Sequence, residues 1–212
     1  MNRLEQELLY EVTWRTNELS IIKTIPILCD CNPKQIEILE KYSVVAIYSI
    51  WEGFVVESFN LYITKINNLN LTYNQINLNI LTHDIFAKFD ITAEQKKHFI
   101  NRCTFINNII EFHKSSVNIS PILPKESNIN FDVINQILTH FYLDTLPAKE
   151  FEKRLKKLLH YRNNIAHGEI SLPVDRELVD YFISTVINVM SEVTIRIVDG
   201  FKNKKYLKEP PN

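Results

Sequence analysis

Apolar side chains recur every three or four residues along one stretch of the chain, and this spacing predicts a long amphipathic helix. Asn32 and Pro33 precede the stretch in the order typical of a helix N-cap and first helical residue, so we predict a helix over residues 33–66. The apolar stripe comprises Val44, Ile47, Tyr48, Trp51, Val55, Phe59, Tyr62 and Ile66. The chain contains only 3 glycines, which argues against a sandwich or barrel with frequent turns. The fold class predicted is therefore all-α, a helical bundle.

The remaining sequence predicts five further helices and two loops. Helices are expected at residues 2–25, 92–114 with Thr92 as cap, 132–141, 148–167 behind Pro147, and about 175–200 behind Pro173. Asn-rich residues 67–82 are expected to form a loop, with a short strand as the alternative, and residues 115–130 a second loop. Residues 1–200 thus form one predicted domain with residues 67–130 inserted in it. Residues 201–212 are expected to be a disordered basic tail.

Composition restricts the classes of function. The chain has 212 residues, of which 45% are hydrophobic and 23% charged, as in soluble globular proteins, and its net charge is −1. Any contact with RNA must therefore come from a local basic patch. The 3 cysteines, Cys29, Cys31 and Cys103, have no spacing typical of disulfides or zinc, which fits a cytoplasmic protein. The charged N-terminus is unlike a signal peptide, and no uninterrupted apolar run reaches the roughly 18 residues that span a bilayer.

One stretch near the end of the fifth predicted helix, residues 158–168, combines several reactive side chains. Arg162 is a permanent, fork-shaped cation suited to phosphate, and Asn163 follows it. Histidine, here His167, is the residue type whose unperturbed pKa of about 6.5 suits proton transfer near neutral pH. Gly168 is expected to end the helix in a left-handed turn. The alternative is structural, with Arg162 in a salt bridge and His167 favoured by the helix dipole.

Helix geometry separates the two main groups of this stretch. Five residues of an ideal helix turn through about 500°, which leaves Arg162 and His167 roughly 140° apart. They form a compact pair only if the helix loosens near Ala166 or if a second copy of the chain supplies one of the two side chains.

The sequence resembles a known superfamily in two motifs. Arg162-Asn163-x-x-Ala166-His167 looks like the Arg-x4-His signature of the HEPN superfamily of helical, metal-independent ribonucleases. Trp51-Glu52-Gly53 is similar to the Trp-Glu-Gly helix of its RiboL-PSP-HEPN branch, and the run from residue 127 to residue 169 resembles that branch as well. The resemblance covers most of residues 35–200.

The resemblance implies a function and a partner. Two copies would pack face to face as a homodimer, and their motifs would line one cleft that binds an RNA substrate. His167 would act as general base on a ribose 2′-OH, Arg162 would stabilise the phosphate, and Asn163 would position either group. No metal and no cofactor is expected. The implied role is in toxin–antitoxin or anti-phage defence; the alternatives are a catalytically silent RNA- or protein-binding module and a toxin held inactive by a separate antitoxin or other neighbouring-gene protein.

Glu52 lies among apolar residues, where an unpaired buried carboxylate would cost several kcal/mol. A cationic partner is therefore expected, and Arg162 is the candidate, so that Glu52 would orient the guanidinium, with Glu57 as a weaker rival for the same role. The alternative places Glu52 at the edge of the stripe, facing solvent. Gly53, beside it, is expected to allow close approach of another backbone.

A basic run precedes the motif. Lys153, Lys156 and Lys157 are expected either to guide phosphate towards the site or simply to form a solvated helix face. Tyr161 is the candidate for stacking on a base. Trp51 and the other aromatic residues of the long stripe are expected in the core or in a dimer contact, and the four histidines outside the basic run and the motif are expected to be ordinary residues.

Overall fold

A computed structural model describes residues 3–89, 98–123, 128–168 and 172–209. These residues are folded into seven α-helices and one 3-10 turn at Tyr73–Gln75, without a β-strand, which confirms the all-α prediction. The helices are α1 (Arg3–Leu28), α2 (Pro33–Asn67), α3 (Leu78–Lys88), α4 (Phe99–Lys114), α5 (Phe131–His140), α6 (Ala148–Ala166) and α7 (Arg176–Lys202).

Helix α2 is the centre of the bundle, and α1, α6 and α7 pack around it. Every residue of its predicted apolar stripe is buried, with Trp51 and Phe59 fully inaccessible. Both α2 and α7 are long and apolar enough to cross a membrane by length and composition. They pack against each other in the core, which accounts for their hydropathy because the core helix of a soluble protein passes the same test.

Local sequence signals set most helix boundaries. Asn32 caps α2 by accepting a hydrogen bond from the backbone N–H of Gln35 at 3.0 Å, and the Gln35 side chain accepts one in return from the Asn32 N–H at 2.8 Å. Asp175 caps α7 through the N–H of Leu178 at 2.8 Å. Helix α1 runs three residues beyond the predicted end at residue 25, and Pro26 lies within its last turn.

The prediction for residues 67–82 was wrong in part. The 3-10 turn and the start of α3 occupy this stretch, and Thr72 makes only an isolated bridge to Ser116. Asn77 caps α3 by accepting from the N–H of Asn79 at 2.9 Å. The Asn-rich stretch expected to be a loop therefore contains the start of a helix. Helix α4 begins at Phe99, and Thr92, its predicted cap, lies outside the described residues.

The predicted disordered tail is instead packed on the bundle as far as residue 209. Tyr206 is 6% exposed, and its carbonyl accepts from the N–H of Asn77 at 2.8 Å. Leu207 bridges Ile76, and the Lys205 ammonium lies 3.0 Å from Asp144. Contacts with the chain near residue 76 therefore order a segment that has no helical signal of its own.

The close approach of another backbone expected at Gly53 is not found among the described residues. A Cβ on Gly53 would meet only the side chain of Arg15, at 3.7 Å, which is ordinary contact. A Cβ on Gly200 would overlap Cδ2 of Leu143, so that side chain would have to shift. Gly200 therefore permits the close packing between α7 and the segment that follows α5.

Candidate functional site

The motif lies at the C-terminal end of α6, as predicted. Leu155, Leu158 and Ile165 are buried and fix the rotation of this helix. The helix stays regular to its end, where the N–H of His167 donates to the carbonyl of Asn163 at 3.0 Å. Gly168 follows with φ +84°, the left-handed conformation that favours glycine. The helix therefore does not loosen near Ala166, and Arg162 and His167 lie on different sides of it.

Arg162 faces inwards and is held by residues of other elements. Its guanidinium carbon lies 4.1 Å from the centre of the Tyr48 ring on α2, in cation–π contact. Its Nη2 donates to Oδ1 of Asn128, in the segment that precedes α5. Its Nε is buried and has no hydrogen-bond partner in the described parts of the chain. The guanidinium is thus oriented within one copy, before any substrate is present.

Asn128 also contacts the second motif residue. Its Nδ2 donates to Oδ1 of Asn163 at 3.4 Å. The backbone next to it is anchored, because the carbonyl of Ile129 accepts from the indole N–H of Trp51 at 3.1 Å. Asn130 caps α5 by accepting from the N–H of Val133 at 2.9 Å. The segment 128–130 therefore connects the motif helix to α2 and α5.

The expected ion pair between Glu52 and Arg162, both of which the structure describes, is absent. Arg162 contacts Asn128 and Tyr48 instead. Glu52 is half-buried, so water solvates its carboxylate without a cationic partner. Burial raises the pKa of Tyr48 and the Glu52 carboxylate one turn away raises it further, whereas the Arg162 guanidinium lowers it. Glu52 therefore lies near the ring that contacts Arg162 without forming an ion pair with the guanidinium. Its predicted role in catalysis stays a prediction.

His167 is exposed, and its side chain makes no hydrogen bond within the described residues. On a helix of about 100° per residue, Lys153, Lys156 and His160 lie within roughly 40° of its direction. All three are exposed, so one face of α6 presents a stripe of basic and imidazole side chains that ends at His167. We call the face defined by Lys153, Lys156, His160 and His167 the outer face of α6.

The predicted RNA contacts have different surroundings. Lys156 forms an ion pair with Glu152 at 2.7 Å, and this carboxylate partly neutralises the positive charge that RNA would meet. Lys153 is exposed and has no ion pair among the described residues. The Lys157 ammonium lies over the ring of Tyr181 at 5.2 Å. Tyr161 is half-buried and packs edge-on against Phe182 at 5.6 Å. Tyr161 is therefore part of the core margin and does not present a free stacking surface in this conformation.

Two residues of the site were missed as site residues in the sequence. Tyr48 belongs to the apolar stripe, where an aromatic residue is more often core than functional. Asn128 lies in a loop, 34 residues before Arg162. The signal for Asn128 was the resemblance of the run that begins at residue 127, which pointed to this segment without giving it a role.

Comparison with known proteins places the chain in a family. The model of the HEPN_MAE_28990-like HEPN family matches residues 4–206. Neither a curated protein nor a solved structure matches the chain. The match confirms the HEPN superfamily, while the RiboL-PSP-HEPN branch stays a prediction. The chain therefore belongs to the HEPN_MAE_28990-like HEPN family, which indicates a nuclease or an RNA-binding module.

Proposed function

We propose that this protein is a metal-independent endoribonuclease that acts as a homodimer. The observation that carries the proposal is the state of Arg162, a cation in contact with the Tyr48 ring and oriented by Asn128 at the end of the helix that also carries His167. A guanidinium in a fixed orientation suits the charge that builds on a phosphate during transfer. Membership of a superfamily rich in ribonucleases supports the same reading.

The proposed reaction is a transesterification within RNA. His167 takes the proton of a ribose 2′-OH, and the 2′-oxygen bonds to the adjacent phosphorus. The bond from phosphorus to the 5′-oxygen breaks, and that oxygen takes a proton from the protonated imidazole or from water. Arg162 and Asn163 donate hydrogen bonds to the non-bridging oxygens. The products are a 2′,3′-cyclic phosphate and a 5′-OH, and the need for a 2′-OH restricts the reaction to RNA.

The arrangement of α6 is the reason to propose two copies. Arg162 faces the core side of the helix and His167 the solvent side, roughly 140° away, so the two do not converge on one phosphate within a chain. A two-fold axis near the end of α6 would bring His167 of one copy beside Arg162 of the other. Lys153, Lys156 and Lys157 would then guide RNA along α6 towards the shared cleft.

The proposed biological role is growth arrest by RNA cleavage, as a toxin or an anti-phage effector, with inhibition by a separate antitoxin as one form of control. A second candidate is a silent RNA- or protein-binding module. The observation that favours the second candidate is that His167 is exposed and that no described residue holds its side chain, so the imidazole is not oriented for catalysis within one chain.

The test is cleavage of total RNA by the purified protein in EDTA, compared with His167→Ala. We expect the wild type to release 5′-OH ends and the variant to be about 10²–10⁴-fold slower, the usual contribution of acid–base catalysis. His98→Ala is the matched control, because His98 is an exposed histidine outside α6, directly before α4, and makes no side-chain cap hydrogen bond there. Expression of the three forms in bacteria extends the test to toxicity. If the wild type and His167→Ala cleave equally or not at all, the nuclease proposal is wrong.

A further inference from the structure

Residues 128–130, directly before α5, are held by hydrogen bonds to α2 and α5. Ile129 is fully buried, and its carbonyl accepts from Trp51 of α2 at 3.1 Å. Asn130 supplies the N-cap of α5 at 2.9 Å. The backbone next to Asn128 is therefore tied to two helices, and the Asn128 side chain starts from a fixed position.

Donor and acceptor chemistry determines how Asn128 is oriented. Arginine only donates hydrogen bonds, so the atom of Asn128 that faces Arg162 must be Oδ1. The Nδ2 of Asn128 then faces Asn163, and the atom of Asn163 that accepts it must be Oδ1. The chain Arg162–Asn128–Asn163 is therefore directed, and an amide is the side chain that accepts at one end and donates at the other.

This chain leaves two donors for a substrate. The Nη2 of Arg162 is engaged by Asn128, while Nη1 makes no hydrogen bond within the described residues. The Oδ1 of Asn163 is engaged as well, which leaves its Nδ2 to donate elsewhere. The Tyr48 ring supports the guanidinium from below at 4.1 Å. One amide thus fixes the direction of both motif residues that precede His167.

We propose that Asn128 is a positioning residue that directs Arg162 and Asn163 together towards one phosphate of the RNA. The proposal rests on the proposed ribonuclease function and adds the residue that prepares its anion-binding half. Asn128 itself does not touch the substrate.

The test compares Asn128→Ala and Asn128→Asp with the wild type. Alanine removes both hydrogen bonds, and we expect kcat/KM for RNA to fall by up to about 100-fold, the cost of a small misplacement of a group at the reacting centre. Aspartate keeps the acceptor for Arg162 but loses the donor to Asn163 and adds a negative charge. We expect it to keep the thermal stability of the wild type while the KM for RNA rises. If Asn128 had only a structural role, activity would follow thermal stability, and Asn128→Asp would be as active as the wild type.

A second measurement does not depend on activity. The Nε–H of Arg162 is buried, so its NMR signal, assigned by its absence in Arg162→Lys, should exchange slowly with water in the wild type and rapidly in Asn128→Ala. Fast exchange in both, or kcat/KM of Asn128→Ala within twofold of the wild type, would overturn the proposal. If the wild type cleaves no RNA but the Arg162 signal loses protection in Asn128→Ala, the nuclease function fails while the positioning role holds. Asn108→Ala, an exposed asparagine of α4, is the control for the substitution itself.

Discussion

Arg162 and His167 belong to one motif, yet their side chains differ in exposure and in contacts. Arg162 lies on the inner side of α6, over the Tyr48 ring and bonded to Asn128. His167 lies at the exposed helix end, and no described residue holds its side chain. The comparison indicates that the described residues of one chain orient the guanidinium but leave the imidazole without a hydrogen bond. This difference fits the proposal that a second copy completes the site.

The largest expected effect comes from separating the two halves between chains. Arg162→Ala and His167→Ala should each cleave RNA about 10²–10⁴-fold more slowly than the wild type. If each site takes its arginine from one copy and its histidine from the other, random mixing of the two variants restores about one quarter of wild-type activity, because half of the dimers are mixed and one of their two symmetric sites is intact. The measurement is cleavage after co-expression, with mass determination to verify mixed dimers. A mixture as inactive as its components would place both groups of a site in one chain.

The sequence predicted the long core helices better than the short helix α3 and the C-terminal segment. The stripes of α2 and α7 span many turns, so their spacing identifies a core helix without tertiary information. Helix α3 was missed because its asparagines resemble a loop, and the order of residues 201–209 was missed because it depends on distant contacts such as that of Tyr206 with Asn77.

The site shows the same limit. Residues within the motif, including the cap at His167 and the left-handed Gly168, follow from local sequence. The partner of Arg162 does not, because Asn128 lies 34 residues away in a loop. Glu52 was expected to pair with Arg162 on the assumption that it is buried, and its partial exposure removes that need.

A smaller effect distinguishes the exposed His167 from two less exposed histidines. His83 is buried and His140 is half-buried, and their Nδ1 atoms lie 3.2 Å apart, the distance of a single N–H···N hydrogen bond. Burial lowers the pKa of both, and His140 lowers that of His83 further, while Asp84 opposes the shift. Both histidines are therefore neutral in the fold at a pH where they are partly protonated in the unfolded chain.

The sign of the pH dependence follows from these lowered pKa values. The unfolded state binds more protons, so the stabilisation is present above about pH 6.5, the unperturbed value, and is lost as the pH falls towards the folded pKa values. We expect the urea midpoint to decrease from pH 7.5 to 5, and the decrease to be smaller in His140→Gln, which removes one titrating group. His160→Ala should follow the wild type. An unchanged slope in His140→Gln would contradict the assignment.

The smallest expected effect is that of Glu52→Gln, and it decides whether the inner half of the site is complete as described. The Glu52 carboxylate has no ion pair with Arg162, so its charge acts across a distance and through partly exposed surroundings. We expect kcat/KM to fall by about two- to threefold at low salt and the difference to vanish at high salt, since screening removes interactions between exposed charges. Glu40→Gln is the matched control, a half-buried carboxylate more than three turns earlier on the same helix. A loss of about 100-fold at every salt concentration would mean that Arg162 leaves Asn128 for Glu52 in the active dimer, so that both halves of the motif, and not His167 alone, are set by assembly.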